Sequence, residues 1–426
     1  MSAKKIGGCI IKQLIIMLVG MAVGILLLTL VISLPTYKAK ENIYYSMGMI
    51  EKEFDDEVQV DGYRATLTGN FTDCLMLEHA IYDHPGHSAF QQALRMYRAE
   101  SYQGDDPEGW YPGQSLKDYL LGVEQPKEVE YSRYWHGYLI VLKPLLMLCG
   151  VSTLRIFNAG LQLLLMGTVI ALLAGKNKKG ATAAFIVSMP FMFFFSTYAS
   201  FSLSICLVLT LVLMIVSLLF NDKLKEKQGY LYFFLIAGML TAYFDFLTYP
   251  VVVIGYLLTL YLVLNGEKNI GNILLLSAEW CAGYGIFWAS KWLQVLIFSS
   301  TKNTKALENV ATRIGSAEGQ NRMSGFLKVL KLNSAPYINR GFLIVLAIAV
   351  VGCLVIGIIL GRKTAGDGKK RPGPMLLIPA IMPFVWFFLL QNHSEQHWVF
   401  TCRNFSVTVF AVGCLVLPIL LDKQRK

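Results

Sequence analysis

Apolar runs of helical length recur from Leu14 to the end of the chain, separated by short polar segments. A bilayer core of ~30 Å needs about 20 helical residues at ~1.5 Å each. The pattern predicts ten spans, near residues 12–34, 154–174, 181–198, 201–220, 230–248, 250–265, 270–298, 341–361, 375–391 and 405–421. One further run, Arg133 to Gly150, is ambiguous. It is short and holds His136, Lys143 and Pro144. A central Lys costs roughly 2.5–3.5 kcal/mol on insertion. This run is therefore predicted to lie at the outer interface as an amphipathic helix, with Tyr134, Trp135 and Tyr138 at headgroup depth.

With that assignment every short basic loop falls on one side. The N-terminus, Lys176–Lys179, Asp222–Gln228, Gly266–Asn269, Arg362–Gly373 and the tail from Asp422 carry eighteen Lys and Arg. The short loops on the far side hold only Arg403, and all six histidines lie on that side. Were 133–150 to cross, fifteen of the eighteen charges would move outside. Short-loop basic bias sets orientation, so both termini are predicted to be cytoplasmic.

The expected fold is an all-α polytopic membrane protein of about ten transmembrane helices, in the cell (plasma) membrane. Residues 1–34 form the first span, 35–150 an extracytoplasmic domain with interfacial helices, and 151–298 a bundle. Residues 299–340 form a second outer loop and 341–426 the C-terminal helices. The first run is longer than a signal-peptide core and no small-x-small site follows it, so it reads as a retained signal anchor.

Composition agrees. The chain is 55% hydrophobic and 15% charged, with a mean hydropathy of +0.50, which excludes an ordinary soluble domain. Basic loops facing anionic lipid account for the net charge of +10 without nucleic acid. Residues 35–150 contain eighteen acids against ten bases, whereas 299–340 carry seven bases and few acids. The eight cysteines are scattered without CxxC spacing, and only Cys74 and Cys402 sit near outer polar segments. Packing is the plain reading of all eight. No internal repeat is evident, which argues against the paired halves common in transporters.

Candidate chemistry clusters on the outer side. In Asn70-Phe71-Thr72-Asp73, either Thr72 or Asp73 could cap a helix, and Asp73 could instead serve as a general base near the membrane surface. Glu78 and His79 follow within two turns, and Asn70-Phe-Thr is also a glycosylation sequon. His393 and His397 have i, i+4 spacing. They lack an implied third metal ligand, so hydrogen bonding to sugar or phosphate is the better reading. Arg403 could snorkel or offer a fork to phosphate. Asp245 at the outer end of a hairpin is costly unless it faces a polar cavity. Glu279, some nine residues into its span, could be neutral and merely hydrogen-bonded, and Lys291 is expected to reach the outer interface, by snorkelling or to serve a substrate.

The run His136-Gly137-Tyr138-Leu139-Ile140, then Lys143-Pro144-Leu145-Leu146 and Gly150-Val151-Ser152-Thr153-Leu154-Arg155, resembles the GT-C superfamily of integral-membrane glycosyltransferases. In that family an interfacial helix, often opening on His-Pro-Pro, precedes a small-residue turn, an Arg and the second span. The layout over residues 10–200 is similar. The resemblance implies a sugar moved from a polyprenyl-phosphate carrier to an acceptor hydroxyl on an envelope glycan, lipid or protein. It places Asp73 as the base that accepts the hydroxyl proton, with inversion at the anomeric carbon. Glu78, His79, His136, Asp245, Lys291, His393, His397 and Arg403 would line the substrate sites. No cofactor is expected, a divalent cation being the only candidate. Two other classes stay open: a transporter or flippase of a lipid-linked precursor, using Asp245 and Glu279 as intramembrane carboxylates, and a non-catalytic scaffold.

Overall fold

In the computed structural model each predicted span contains helix. The structure describes residues 3–53, 58, 60–101, 111–123, 127–298, 311–315, 321–361 and 373–423. Most of the basic loop Arg362–Gly373, and 299–310 and 316–320 of the second outer loop, lie outside the described residues. The principal helices are α1 (Ala3–Ile32), α2 (Tyr37–Tyr44), α3 (Asn70–Ile81), α4 (Ala89–Arg95), α5 (Pro112–Leu121) and α6 (Leu139–Leu148). They continue with α7 (Val151–Gly175), α8 (Lys179–Ser188), α9 (Phe194–Ala199), α10 (Phe201–Lys225), α11 (Gly229–Phe244) and α12 (Val251–Asn265). The last are α13 (Ile270–Phe298), α14 (Arg322–Ser334), α15 (Arg340–Gly361), α16 (Leu377–Leu389), α17 (Gln391–Gln396) and α18 (Phe405–Lys423).

Among the described residues, five helical stretches are long and apolar enough to cross a membrane, or six if the pair Arg322–Tyr337 and Arg340–Gly352, bent by 67°, counts as one. One of the five, Phe201–Phe244, breaks at the turn Glu226–Gln228, where Lys227 and Gln228 have positive φ. The span expected at 181–198 is also broken. Helix α8 ends at Ser188, a 3-10 turn over Met189–Met192 contains Pro190, and Phe193 adopts a left-handed backbone before α9. Proline removes a donor and clashes with the preceding turn, which ends α8 there.

Helices α1, α11 and α13 run parallel. Gln13 Nε2 donates to Glu279 Oε1 at 2.7 Å, and higher up Tyr243 Oη donates to the Gly24 carbonyl at 2.8 Å with its ring 6.1 Å from Phe287. The α11–α13 crossing is backbone on backbone. A Cβ at Gly238 would stand 2.1 Å from the Trp280 carbonyl oxygen, and one at Gly283 2.1 Å from that of Leu235. Only glycine permits that approach. A second group comprises α8, α12 and α18. Tyr256 of α12 stacks on Phe410 at 4.8 Å and donates to Ser188 Oγ at 2.9 Å.

The domain formed by the described residues of 35–150 seats directly on the ends of α1, α11 and α13. Leu28, Val31 and Ile32 of α1 share one core with Cys74, Leu77 and Ala80 of α3 and with Trp135 and Leu139. A two-stranded antiparallel ladder, Tyr97–Glu100 with Lys127–Glu130, braces this domain. The aromatic side chains of the segment before α6 pack into the protein interior. Tyr134, Trp135 and Tyr138 are buried, with Trp135 stacked on Phe287 at 4.8 Å and its Nε1 donating to the Phe287 carbonyl at 2.7 Å. Lys143 is likewise buried, its Nζ donating to the Ile32 carbonyl at 2.9 Å. It thus caps the C-terminal end of α1, where the helix dipole favours a cation.

Candidate functional site

The sequence-predicted residues fall into three groups, the first around the N-terminal end of α10. Helix α3 begins at Asn70 behind Gly69, so neither Thr72 nor Asp73 caps it. Asp73 caps α10 instead. Its Oδ2 accepts from the Phe201 amide at 2.8 Å, and its Oδ1 from the Ser202 amide at 2.9 Å and the Ser202 hydroxyl at 2.6 Å. In return the Gly69 amide donates to Ser200 Oγ at 2.6 Å. Burial pushes the Asp73 carboxyl up to about 6, against the pull of Ser202, Arg155 and the Phe201 amide. The sequon residue Asn70 is buried, and its Oδ1 accepts from Arg155 Nη2 at 3.2 Å.

Asp245 reaches the same two turns of α10 through Thr248, and Arg403 through Tyr249. Asp245 accepts from the Thr248 amide at 2.9 Å and from the Thr248 hydroxyl, closing a tight turn rather than facing an open cavity. Thr248 Oγ1 lies 3.6 Å from Cys206 Sγ on α10. Tyr249 Oη donates to the Leu203 carbonyl. The Arg403 guanidinium is held between the rings of Tyr249 and Phe193, 5.8 and 5.5 Å from their centroids. It does not snorkel: it is 0% exposed. Nε donates to the Met192 carbonyl at 3.0 Å and Nη1 to the Val399 carbonyl at 2.5 Å, while Nη2 has no partner among the described residues. The buried side chains of Asn404 and Ser406 beside it are also unpartnered among the described residues. Met192 and Phe193, which Arg403 touches, also line an apolar groove of about 290 Å³ shared with Tyr63, Leu207, Phe342 and Ile348.

The second group lies inside the domain that follows α1. Glu78 is fully buried, with neither oxygen hydrogen-bonded among the described residues. Burial pushes it up to about 8, Arg98 opposing. His79 gives Nδ1 to the Leu75 carbonyl at 2.7 Å, which leaves the lone pair on Nε2, and burial brings it down to about 3. Its ring is 4.8 Å from that of His136, which Tyr131 and Tyr138 hold. Lys291 is held inside the protein rather than extended to the surface. Its Nζ is buried, donates to the Ala93 carbonyl and lies 5.5 Å from the Trp135 ring. Glu279 is apart from all of these, on Gln13.

The third group is His393 and His397, whose rings approach to 4.9 Å. Among the described residues no cluster of three or more His, Cys, Asp or Glu could hold a metal, and Cys74 and Cys402 are free thiols. His136, Phe193 and Leu247 have φ between +52° and +66° although none is glycine. Such backbone strain gathers where surrounding structure imposes it, often at functional sites. Tyr63 and Phe193 were not in the predicted set, whereas Arg313 belongs to the basic 299–340 loop, from which a cation for the lipid phosphate was expected. Tyr63 and Phe193 carry no mark in the sequence. In comparison with known proteins, the chain matches no family model, no curated protein and no solved structure.

Proposed function

We propose that this chain is a GT-C-like membrane glycosyltransferase, moving a sugar from a polyprenyl-phosphate carrier to an acceptor hydroxyl on the face opposite its basic loops. The observation that carries the reading is Arg403: a buried guanidinium with an unused Nη2, held by carbonyls and rings, beside an apolar groove. A buried cation without a carboxylate favours an anion that arrives with its substrate, and an adjoining groove suits an isoprenoid tail. Asp73 is the base in this reading. Three of the roughly four lone-pair positions of its carboxylate are occupied, so one stays available to an acceptor hydroxyl. A carboxyl near 6 is suited to that work close to neutral pH.

The test is transfer from a polyprenyl-phosphate sugar by Arg403→Lys in nanodiscs. An ammonium cannot reproduce the fork, so the expected outcome is at least a tenfold rise in KM for the donor. An unchanged KM in a folded variant would remove the phosphate from Arg403. Movement of the lipid between leaflets without transfer would favour a flippase.

A further inference from the structure

Among the described residues, the rim of the outer face carries more cations than carboxylates. Helix α14 bears Arg322, Lys328 and Lys331 and no acid. Glu395, the one acid of α17, is bound to Lys328. Arg64 lies over the ring of Trp398 at 5.7 Å. Into this rim the segment 311–315 is fastened by Asn392, whose amide donates to the Gly315 carbonyl at 3.0 Å and whose Nδ2 donates to the Thr312 carbonyl at 2.7 Å. That fastening sets Arg313 beside His393, the residue after Asn392. Arg313 is oriented by Tyr134, with Nη2 donating to the hydroxyl at 2.8 Å and the guanidinium 5.9 Å from the ring centroid.

The two histidines complete the arrangement. His397 is exposed and lies parallel to Phe400, with ring centroids 5.9 Å apart. His393 is 5% exposed, edge-on to Trp386 at 6.2 Å, and its Nε2 has no partner among the described residues. Three groups able to carry positive charge therefore converge, and the buried Nε2 among them is a polar atom still to be satisfied. We propose that Arg313, His393 and His397 form an oxyanion site at the outer rim, separate from Arg403, that takes a phosphate or carboxylate group. The guanidinium supplies fixed charge, and His393 Nε2 supplies a buried donor when protonated. His397 and Arg313 also hold down the proton affinity of His393, already lowered by burial, a repulsion that a bound anion relieves. The site stands without the transferase reading; only assigning its anion to the acceptor rests on that reading.

The experiment is calorimetric titration of the full-length protein with sodium phosphate at pH 6, in phosphatidylcholine nanodiscs. Binding should survive Arg403→Gln and weaken at least tenfold in Arg313→Gln and in His393→Gln, with partial recovery in Arg313→Lys. The exposed His397→Gln variant disturbs no core and should weaken binding several-fold, so the question stays answerable if the His393 variant fails to fold. Absence of phosphate binding to the wild type, or undiminished binding in folded Arg313→Gln and His397→Gln, overturns the site and leaves the Arg403 reading untouched. Loss of binding only in Arg403→Gln also overturns it, while supporting that reading. Phosphatidylglycerol nanodiscs identify the source: suppressed phosphate binding points to a lipid headgroup, and unchanged binding to an oxyanion on the acceptor.

Discussion

Asp73→Asn separates a cap from a base, because the two roles predict opposite effects on stability. As a cap alone, Asp73 gives acceptors to two main-chain amides and one hydroxyl at the start of α10. Asparagine keeps one acceptor oxygen and turns an amide NH₂ towards the other donor. Losing a charge-assisted bond of this kind costs roughly 1.5–3 kcal/mol. Burial works in the other direction. It holds the carboxyl at about 6 in spite of those bonds, against an ordinary value of 3.8. That rise is a penalty of roughly 3 kcal/mol on the ionised form at neutral pH, with the hydrogen bonds already counted in it. Protonated aspartic acid and asparagine are close to isosteric and meet the same donors, so most of the hydrogen-bond loss cancels between them.

The sign then follows from linkage. A carboxyl whose folded value is raised contributes stability that is complete below pH 3.8 and is lost as the pH climbs through about 6. A neutral asparagine side chain has no such limb. The Asp73→Asn variant should match the wild type near pH 4 and exceed it by up to roughly 3 kcal/mol at pH 7. Its transfer rate should fall by about 10²–10⁴. Stability gained where activity is lost is the expected signature of a functional group held against its preference. Unfolding in mixed micelles at pH 4 and pH 7, beside a turnover assay, measures both. A variant destabilised by about 2 kcal/mol at pH 7 would make Asp73 a cap, and near-wild-type transfer by a folded variant would dismiss it as the base.

Glu78, raised to about 8, loses stability as pH rises from 4.5, and His79, lowered to about 3, loses it as pH falls below 6.5. Each limb should slope by roughly 1.4 kcal/mol per pH unit. Glu78→Gln should flatten the alkaline limb, and His79→Gln should weaken the acid limb, which His136 and His393 share; unaltered profiles in chemical-unfolding series would show that these groups titrate normally. Gly238→Val should drive α11 from α13 and abolish the monodisperse folded protein on size exclusion, since its Cβ would meet the Trp280 carbonyl at 2.1 Å. A cysteine at Lys178 should resist an impermeant maleimide in intact cells while one at the exposed Gln396 reacts; the reverse pattern would invert the topology.

The apolar runs identified where helices form because length and period are local properties of the chain. Within the run at 181–198, Pro190 is a visible breaker, whereas the left-handed Phe193 that completes the interruption is imposed by packing, its ring lying 5.2 Å from Tyr337 and 5.5 Å from the Arg403 guanidinium. The charged residues inside apolar surroundings were equally visible, but their partners were not. Asp73 meets Ser202, Lys143 meets Ile32, Lys291 meets Ala93 and Arg403 meets Met192. In the last three the partner is a main-chain carbonyl. Every residue carries that group, so the pairing leaves no trace in residue type.

The same fact ranks the buried cations. A cation inside a helical bundle needs acceptors, and either carboxylates or carbonyls will serve. Lys143 is explained by the end of α1, whose last carbonyls need a donor. Lys291 rests on one carbonyl and the face of Trp135, and an ammonium can turn its remaining protons about its own axis. Arg403 cannot do this. Its donors are fixed in a plane, two are bound, and Nη2 is buried without a partner among the described residues. A rigid, unspent donor at 0% exposure costs about 1–3 kcal/mol unless something binds it. Of these three buried cations, Arg403 is therefore the one whose present surroundings leave a defined place for a ligand atom.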